Sequence, residues 1–134
     1  MAETTEFELV SPERLVLSEP VEMVVVPGSE GYFGVLPRHA PFITTLAPGV
    51  IDVYEGGKVK ERIFVSGGFA EVTPERCTVL ADEAIKLPEI DTAATELEIK
   101  DLTEDLAEAK SEPERLVLER GLAVARAKLK AAAH

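Results

Sequence analysis

Two hydrophobic periodicities divide the chain near Leu87. From Glu6 to about Leu87, apolar and polar residues alternate over short runs, as in strands with one buried face. The alternating apolar positions are Phe7 and Leu9; Val21, Met23 and Val25; Ile51 and Val53; Ile63 and Val65; and Phe69. The apolar run 23–26 is typical of a strand covered on both faces by packed sheets. The pattern predicts an antiparallel β-sandwich or flattened barrel over residues 1–87.

Glycine and proline separate these runs. The stretch 26–53 contains four glycines and four prolines, so the chain must reverse direction several times within it. The pairs Gly56-Gly57 and Gly67-Gly68 are expected at hairpins or bulges. Strands spaced this closely double back, which favours antiparallel pairing.

After Leu87 the period becomes that of amphipathic helices. Asp91 is predicted to cap a first helix, since residues 92–110 contain neither Gly nor Pro, and Pro113 suits the first position of a second helix. The two apolar stripes are Ile99, Leu102, Leu106 and Ala109, and Leu118, Leu122, Ala125 and Leu129. The short connection predicts an antiparallel helical hairpin over residues 88–134.

The hairpin carries an uneven charge and one unusual glycine. Residues 89–114 hold ten acids and two bases, whereas residues 115–134 hold one acid and five bases, so opposite signs are expected to face each other. Glycine in a helix interior, as predicted for Gly121, lowers the stability of the helix by about 1 kcal/mol relative to alanine. Its presence indicates close packing or a flexible point. Because the stripes are narrow, the hairpin needs a further surface, either the β domain or a partner, and is a candidate two-state element.

Composition limits the classes of function. With 134 residues of which 46% are hydrophobic, the protein is large enough to form one ordinary domain, or one compact domain with a small appendage. A formal charge of -11 disfavours nucleic acid as a partner. The single cysteine, Cys77, cannot form an internal disulfide, which fits a reducing compartment. The N-terminus lacks the basic start and apolar core of a secretory signal, and no stretch reaches the roughly 20 apolar residues of a membrane span, so no membrane insertion is expected.

Candidate catalytic groups are few and dispersed. No glycine-rich phosphate loop with Lys-Ser/Thr is present. His39 and the terminal His134 have no partners at metal-ligand or nucleophile spacing, and Cys77 is interpreted as a small buried hydrophobe. The pair Asp82-Glu83 ends a strand and is expected to be solvated. The sequence therefore predicts no catalytic residue, no metal site and no cofactor.

Five segments carry a family resemblance through their order and spacing. They read FELVSPERLVLS, PGSEGYFGVLPRHAP, LAPGVIDV, SGGFAEV and TVLADEA. This series resembles the epsilon subunit of bacterial F-type (H+-transporting) ATP synthases. The resemblance implies a non-catalytic subunit of the rotating central stalk, which helps to couple proton-driven rotation to ATP synthesis. It also implies a peripheral position at the cytoplasmic side of the bacterial inner (plasma) membrane.

The resemblance also implies contacts for particular residues. Those implied to face the ring of c subunits are Glu30, Gly31, Tyr32 and Phe33. Those implied to lie near the gamma subunit are His39, Ala40 and Pro41. An acidic residue suits the polar loops of the ring, and the two aromatic rings would supply rigid contact area.

A regulatory role for the hairpin follows from the same resemblance. The family's hairpin can lie on the β domain or extend into the alpha/beta hexamer and obstruct ATP hydrolysis, and Arg115, Arg120 and Arg126 suit acidic surfaces there. Some members bind ATP through an Ile-Asp-x-x-Arg-Ala motif. Here Ile90 and Asp91 are retained and Arg126 is a further candidate, but Ala94 and Thr95 replace Arg-Ala. Weak or absent ATP binding is therefore predicted.

Three alternatives remain open on the sequence. One is a free-standing acidic β-sandwich that binds a protein or small ligand. Another is an enzyme that uses Cys77 or His39. The third is the equivalent delta subunit of a mitochondrial ATP synthase.

Overall fold

The chain forms a mainly β unit followed by a helical unit. The computed structural model describes residues 3–133; His134 lies outside the described residues. The strands are β1 (Thr5–Ser11), β2 (Arg14–Val21), β3 (Met23–Gly28), β4 (Gly31–Val35), β5 (Phe42–Leu46), β6 (Gly49–Glu55), β7 (Lys58–Val65), β8 (Gly68–Val72), β9 (Arg76–Ala81) and β10 (Ala84–Lys86). A short 3-10 turn (Leu87–Glu89) precedes α1 (Thr92–Ala107) and α2 (Glu112–Ala132). The first compact unit ends at Lys86 and the second begins at Leu87. The predicted fold class is confirmed.

The ten strands form one hydrogen-bonded sheet that folds around a core. Its order is β10-β7-β6-β3-β5-β8-β9-β1-β2, and β4 pairs with β3 outside this path. The prediction of antiparallel pairing throughout is wrong at one place, because β1 and β9 run parallel, with Phe7 opposite Cys77. Strands β2 to β8 lie between these two strands in the sequence, so the parallel connection does not require a tight turn.

The core confirms most of the predicted inward positions. Phe7, Leu9, Ile51, Val53, Ile63 and Val65 are all buried. The predicted alternation is right at Val21, which is buried, but wrong at Met23 and Val25. The chain bends at Glu22, and β3 instead buries Val24 and Val26, followed by Pro27 and Gly28. Phe69 is also not a core residue: it is 47% exposed, while Ala70 beside it is buried.

The two glycine pairs differ in their roles. Gly56 and Gly57 have φ of 62° and 75° and form the two-residue turn that joins Glu55 to Lys58 in a hairpin, as predicted. Gly67 and Gly68 connect β7 to β8, which are not neighbours in the sheet. A side chain on Gly68 would strike the carbonyl oxygen of Leu80, and its φ is 122°, so this corner needs glycine.

The residue before each helix caps its first turn with a polar side chain. The carboxylate of Asp91 accepts a hydrogen bond from the Ala94 N–H at 3.0 Å, as its predicted capping role requires. Ser111 caps α2 by accepting from the Glu114 N–H at 3.3 Å, and Pro113 is the second helical residue and not the first. The predicted stripe residues are buried or half-buried, with Leu122 and Ala125 the most enclosed.

Candidate interaction surfaces

The tip of the β3–β4 hairpin presents the residues predicted to face the c subunits. Gly28 pairs with Gly31, so Ser29 and Glu30 form the turn, and Gly31 has φ of 129°. Glu30, Gly31 and Tyr32 are exposed, whereas Phe33 is half-buried. The hairpin therefore carries one carboxylate at its end and aromatic residues just behind it.

Hydrogen bonds attach this hairpin to the neighbouring strands. The Ser29 N–H donates to the Thr45 carbonyl at 2.9 Å, and the Thr45 hydroxyl donates to the Ser29 hydroxyl at 2.8 Å. On β4, the Tyr32 hydroxyl accepts from the Val50 N–H at 3.3 Å. These bonds reach from the turn and from β4 into the sheet, which limits the freedom of the hairpin to swing.

The segment predicted to lie near gamma forms a tight turn before β5. Arg38 has a positive φ of 66° and pairs with Glu3 at 2.8 Å. The His39 N–H donates to the Leu36 carbonyl at 3.2 Å, and His39 Nδ1 lies 2.8 Å from the Ala40 carbonyl oxygen. Because a carbonyl oxygen only accepts, Nδ1 is the donor in this contact. Backbone contacts thus hold His39 in place.

Phe42 joins the two predicted contact segments into one surface. Its ring centroid lies 5.0 Å from that of Phe33 in an edge-to-face arrangement, and 5.2 Å from that of His39. A shallow depression of about 460 Å³ runs between the hairpin tip and β5, lined by Glu30, Tyr32, Phe33, His39 and Ile43 among others. Sequence reasoning did not anticipate this bridging role of Phe42.

An exposed apolar row on the outer face of the sheet also escaped sequence reasoning. The strand register aligns Thr45 with Phe69, Phe69 with Leu80, Leu80 with Val10, and Val10 with Leu15. Phe69, Leu80 and Leu15 are 47%, 41% and 56% exposed. The adjacent row contains the carboxylates of Glu71 and Glu8, with Thr78 between them. Contiguous exposed apolar residues rimmed by polar ones are typical of protein interfaces.

The predicted regulatory and ATP-binding residues lie in the helical unit. Arg115 pairs with Glu119 at 3.3 Å within α2, and both side chains are about half exposed. Arg120 and Arg126 are exposed on the same helix. Ile90 is buried, and Asp91 uses its carboxylate as the cap of α1. Both residues retained from the ATP motif therefore have structural roles that need no nucleotide.

Cys77, one of the two residues considered for an enzymatic role, lies in the core. Cys77 is fully buried, and burial raises the pKa of its thiol to about 12, so the thiolate is not available near neutral pH. Within residues 3–133, no group of three His, Cys, Asp or Glu side chains is placed to hold a metal ion. Neither α1 nor α2 has the length and apolar character needed to cross a membrane.

Comparison with protein families gives matches along almost the whole sequence. Residues 4–87 match the model described as ATP synthase, Delta/Epsilon chain, beta-sandwich domain, and residues 91–134 match the model for the C-terminal domain of the ATP synthase epsilon chain. The ATP synthase epsilon chain of Rhodospirillum rubrum is 59% identical over 131 residues, which make up 98% of both proteins. That of Rhodospirillum centenum is 58% identical over 134 residues, covering 96% of this protein and 92% of the relative.

Two solved structures have similar folds. A subunit in the Euglena gracilis mitochondrial ATP synthase, described as OSCP/F1/c-ring in rotational state 1, matches with a TM-score of 0.82 at 30% identity, covering 98% of this protein and 82% of that subunit. A subunit in the central stalk/c-ring of the Tetrahymena thermophila mitochondrial ATP synthase matches with a TM-score of 0.72 at 14% identity, covering 96% of each, which is a likeness of fold. With both family models and relatives near 59% identity in agreement, the protein belongs to the ATP synthase epsilon chain family.

Proposed function

We propose that this protein is the non-catalytic epsilon subunit of a bacterial F-type ATP synthase rotor, where it helps to couple proton-driven rotation to ATP synthesis. The observation that supports this role best is the exposed surface of the β unit, which includes the hairpin tip at Glu30 and the apolar row through Phe69 and Leu80. Such a surface suits a subunit held between two partners. Its place would be the cytoplasmic side of the inner membrane, with membrane contact only through other subunits.

The hairpin tip would contact the ring of c subunits. Glu30 stands alone at the end of the hairpin, exposed, with Gly31 and the ring of Tyr32 behind it. A carboxylate in this position can meet basic groups of a polar loop, and aromatic side chains add contact area at a low entropy cost. Phe33 is half-buried against Phe42 and would support the tip from below.

The gamma subunit would bind across the turn at His39, Ala40 and Pro41 and the outer face beside it. Ala40 and Pro41 are exposed, and Ile43, two residues further on, is 69% exposed. The apolar row through Phe69 and Leu80 would be buried by this contact, because an exposed row of this length gains free energy when a partner removes it from water. The neighbouring carboxylates favour a partner surface with basic residues.

Co-purification with the gamma subunit tests the assignment. The wild-type protein should co-purify with a tagged gamma subunit on co-expression, and the double variant Phe69→Glu, Leu80→Glu should lose at least about tenfold in affinity, since it places two charges in an apolar contact. Leu97→Glu is the matched control, because Leu97 is 58% exposed on α1 and a charge there should leave gamma binding unchanged. A stable wild-type protein without affinity for gamma would favour a free-standing binding module instead.

The helical hairpin would act as a regulatory arm that inhibits ATP hydrolysis. Its second helix carries Arg120 and Arg126 on its exposed surface, which suits acidic surfaces of the alpha and beta subunits. Removing residues 88–134 should raise the ATPase activity of isolated membranes. No increase would count against an inhibitory hairpin.

ATP binding to this hairpin is expected to be weak or absent. Ala94 stands where the family motif has arginine, and Asp91 is engaged with the Ala94 N–H. Without a guanidinium at that point, phosphate has one fewer bidentate partner. Calorimetric titration of ATP into the isolated subunit should give no tight binding, and a micromolar dissociation constant would contradict this expectation.

A further inference from the structure

The Tyr32 hydroxyl fills a gap where β3 changes neighbours. β3 pairs with β6 through residues Met23, Val24 and Val25, and then meets β5 where Gly28 lies opposite Leu46. The register between β3 and β6 ends at Val25, opposite Asp52, so the first residues of β6 have no β3 residue beside them. The Val50 N–H at this place donates to the Tyr32 hydroxyl at 3.3 Å. A strand donor that would otherwise lack a strand partner is thereby satisfied.

Gly49 makes room for this contact. A Cβ at position 49 would lie 2.6 Å from the Tyr32 hydroxyl oxygen and 2.8 Å from the Cβ of Pro27. Pro27 is the residue paired with Tyr32 in the β3–β4 hairpin. The start of β6 and the hairpin therefore meet at a point where no side chain larger than hydrogen fits on position 49.

The contact also secures a strand that has few other connections. Within the described residues, β4 has backbone pairing with β3 alone. Consecutive residues of β4 reach in different directions: Tyr32 bonds to β6, and the ring of Phe33 meets Phe42 of β5. Since Tyr32 is 62% exposed, its ring adds little to the core, and its hydroxyl makes its most specific contact.

We propose that Tyr32 is a positioning residue, which holds Glu30 in place through the bond from β4 to β6. This inference rests on the proposed contact between the hairpin tip and the c subunits, and it gives Tyr32 a role different from direct contact. A tip that is already held in its bound position loses less conformational freedom when the partner binds. Removing the hydrogen bond between Val50 and Tyr32 should therefore weaken the contribution of Glu30 to the contact with the c subunits.

A double-mutant cycle in the assembled ATP synthase tests this proposal. Inverted membrane vesicles would be compared for ATP-driven proton pumping per ATP hydrolysed, with the wild type, Glu30→Gln, Tyr32→Phe and the double variant. Both single variants should lower the ratio, and the double variant should be no lower than Glu30→Gln alone, because Tyr32 acts through Glu30. Tyr54→Phe is the matched control: it removes a tyrosine hydroxyl from β6 opposite Met23, at the end of β3 remote from the hairpin tip, and it should pump as the wild type does.

Amide hydrogen exchange on the isolated subunit tests the bond itself. Tyr32→Phe should speed exchange at Val50 by about two- to tenfold, the range expected for one hydrogen bond, while amides of β8 remain unchanged. Unchanged exchange at Val50 would overturn the inference, as would normal pumping by Tyr32→Phe or additive losses in the double variant. If Glu30→Gln itself pumps normally, the proposed ring contact at Glu30 fails, and a role for Tyr32 through Glu30 fails with it.

Discussion

Replacing Gly121 by alanine tests how closely the two helices approach. An ideal Cβ at this position would lie 3.6 Å and 3.7 Å from the two methyl groups of Leu102, which is ordinary van der Waals distance. Apart from the adjacent residues and the backbone of α2 itself, no other atom of the described residues lies within 4 Å of this position. Close packing therefore does not require glycine here, so of the two interpretations drawn from the sequence, the flexible point remains.

The size of the effect follows from helix propensity. Alanine in a helix interior is favoured over glycine by about 1 kcal/mol, because glycine loses more backbone freedom on folding. The added methyl group gains contact with Leu102 and strains nothing. We expect Gly121→Ala to stabilise the hairpin by about 1 kcal/mol, which corresponds to about a fivefold lower population of opened helix.

Amide hydrogen exchange measures this change where it occurs. Amides near position 121 in α2 should exchange about fivefold more slowly in Gly121→Ala, since local opening governs their exchange. Ala123→Gly is the opposite control on the same helix, because Ala123 is exposed and its replacement should speed exchange by a similar factor. Faster exchange in Gly121→Ala would refute the packing argument.

Three further predictions concern stability. Asp91→Ala should lower the free energy of unfolding of the hairpin by about 1 kcal/mol in thermal melts followed by circular dichroism, whereas Asp91→Ser should retain most of it, because serine also caps helices. Gly68→Ala should cost about 3 kcal/mol or more in urea unfolding, since its Cβ would meet the Leu80 carbonyl; Gly31→Ala also has positive φ but open space around it, and should cost less. The pKa of the Cys77 thiol is raised from 9.0 to about 12, so the stability gained by keeping it protonated is full below pH 9 and is lost as the pH rises towards 12. The urea midpoint should therefore fall more steeply above pH 9 in the wild type than in Cys77→Ala, and equal slopes would contradict this.

Features with local causes could be predicted from the sequence. The Gly56-Gly57 turn requires positive φ at both residues, and adjacent glycines between alternating runs indicate this. The cap at Asp91 uses atoms only three residues apart. In both cases the residues that determine the geometry are close together in the sequence, so a short window contains the full cause.

Features that depend on a shift of strand register, or on pairing between distant strands, could not be predicted in this way. The break at Glu22 shifts the alternation of β3 by one residue, and one residue exchanges the faces of a strand. The aromatic residue in β8 suggested an inward position, but the corner at Gly67 and Gly68 turns Phe69 outward. The parallel pairing of β1 with β9 joins residues about seventy positions apart, and no short pattern encodes it.

The candidate surface follows the same division. The exposed turn at Glu30 could be expected from its glycines, but its connection to His39 through the ring of Phe42 required the folded sheet. The apolar row likewise exists only in register, because Phe69, Leu80 and Val10 come from three different strands. Each residue alone is an ordinary apolar side chain at the surface, and only their alignment indicates a partner.

Coupling rotation requires a rigid unit, whereas a regulatory switch requires a unit that can change its conformation. The β unit and the helical unit differ in this respect. Transmitting rotation requires a body that does not yield, and the β unit has a continuous core in which Phe7, Ile51 and Val72 are almost completely enclosed. A regulatory arm must change between two conformations whose free energies differ only modestly. Among residues 87–133 of the helical unit few side chains are buried, and these include Ile90, Leu122 and Ala125. Since elements that move are drawn from the less stable part of a protein, the hairpin is physically the better candidate for the switch, and the β unit for the coupling.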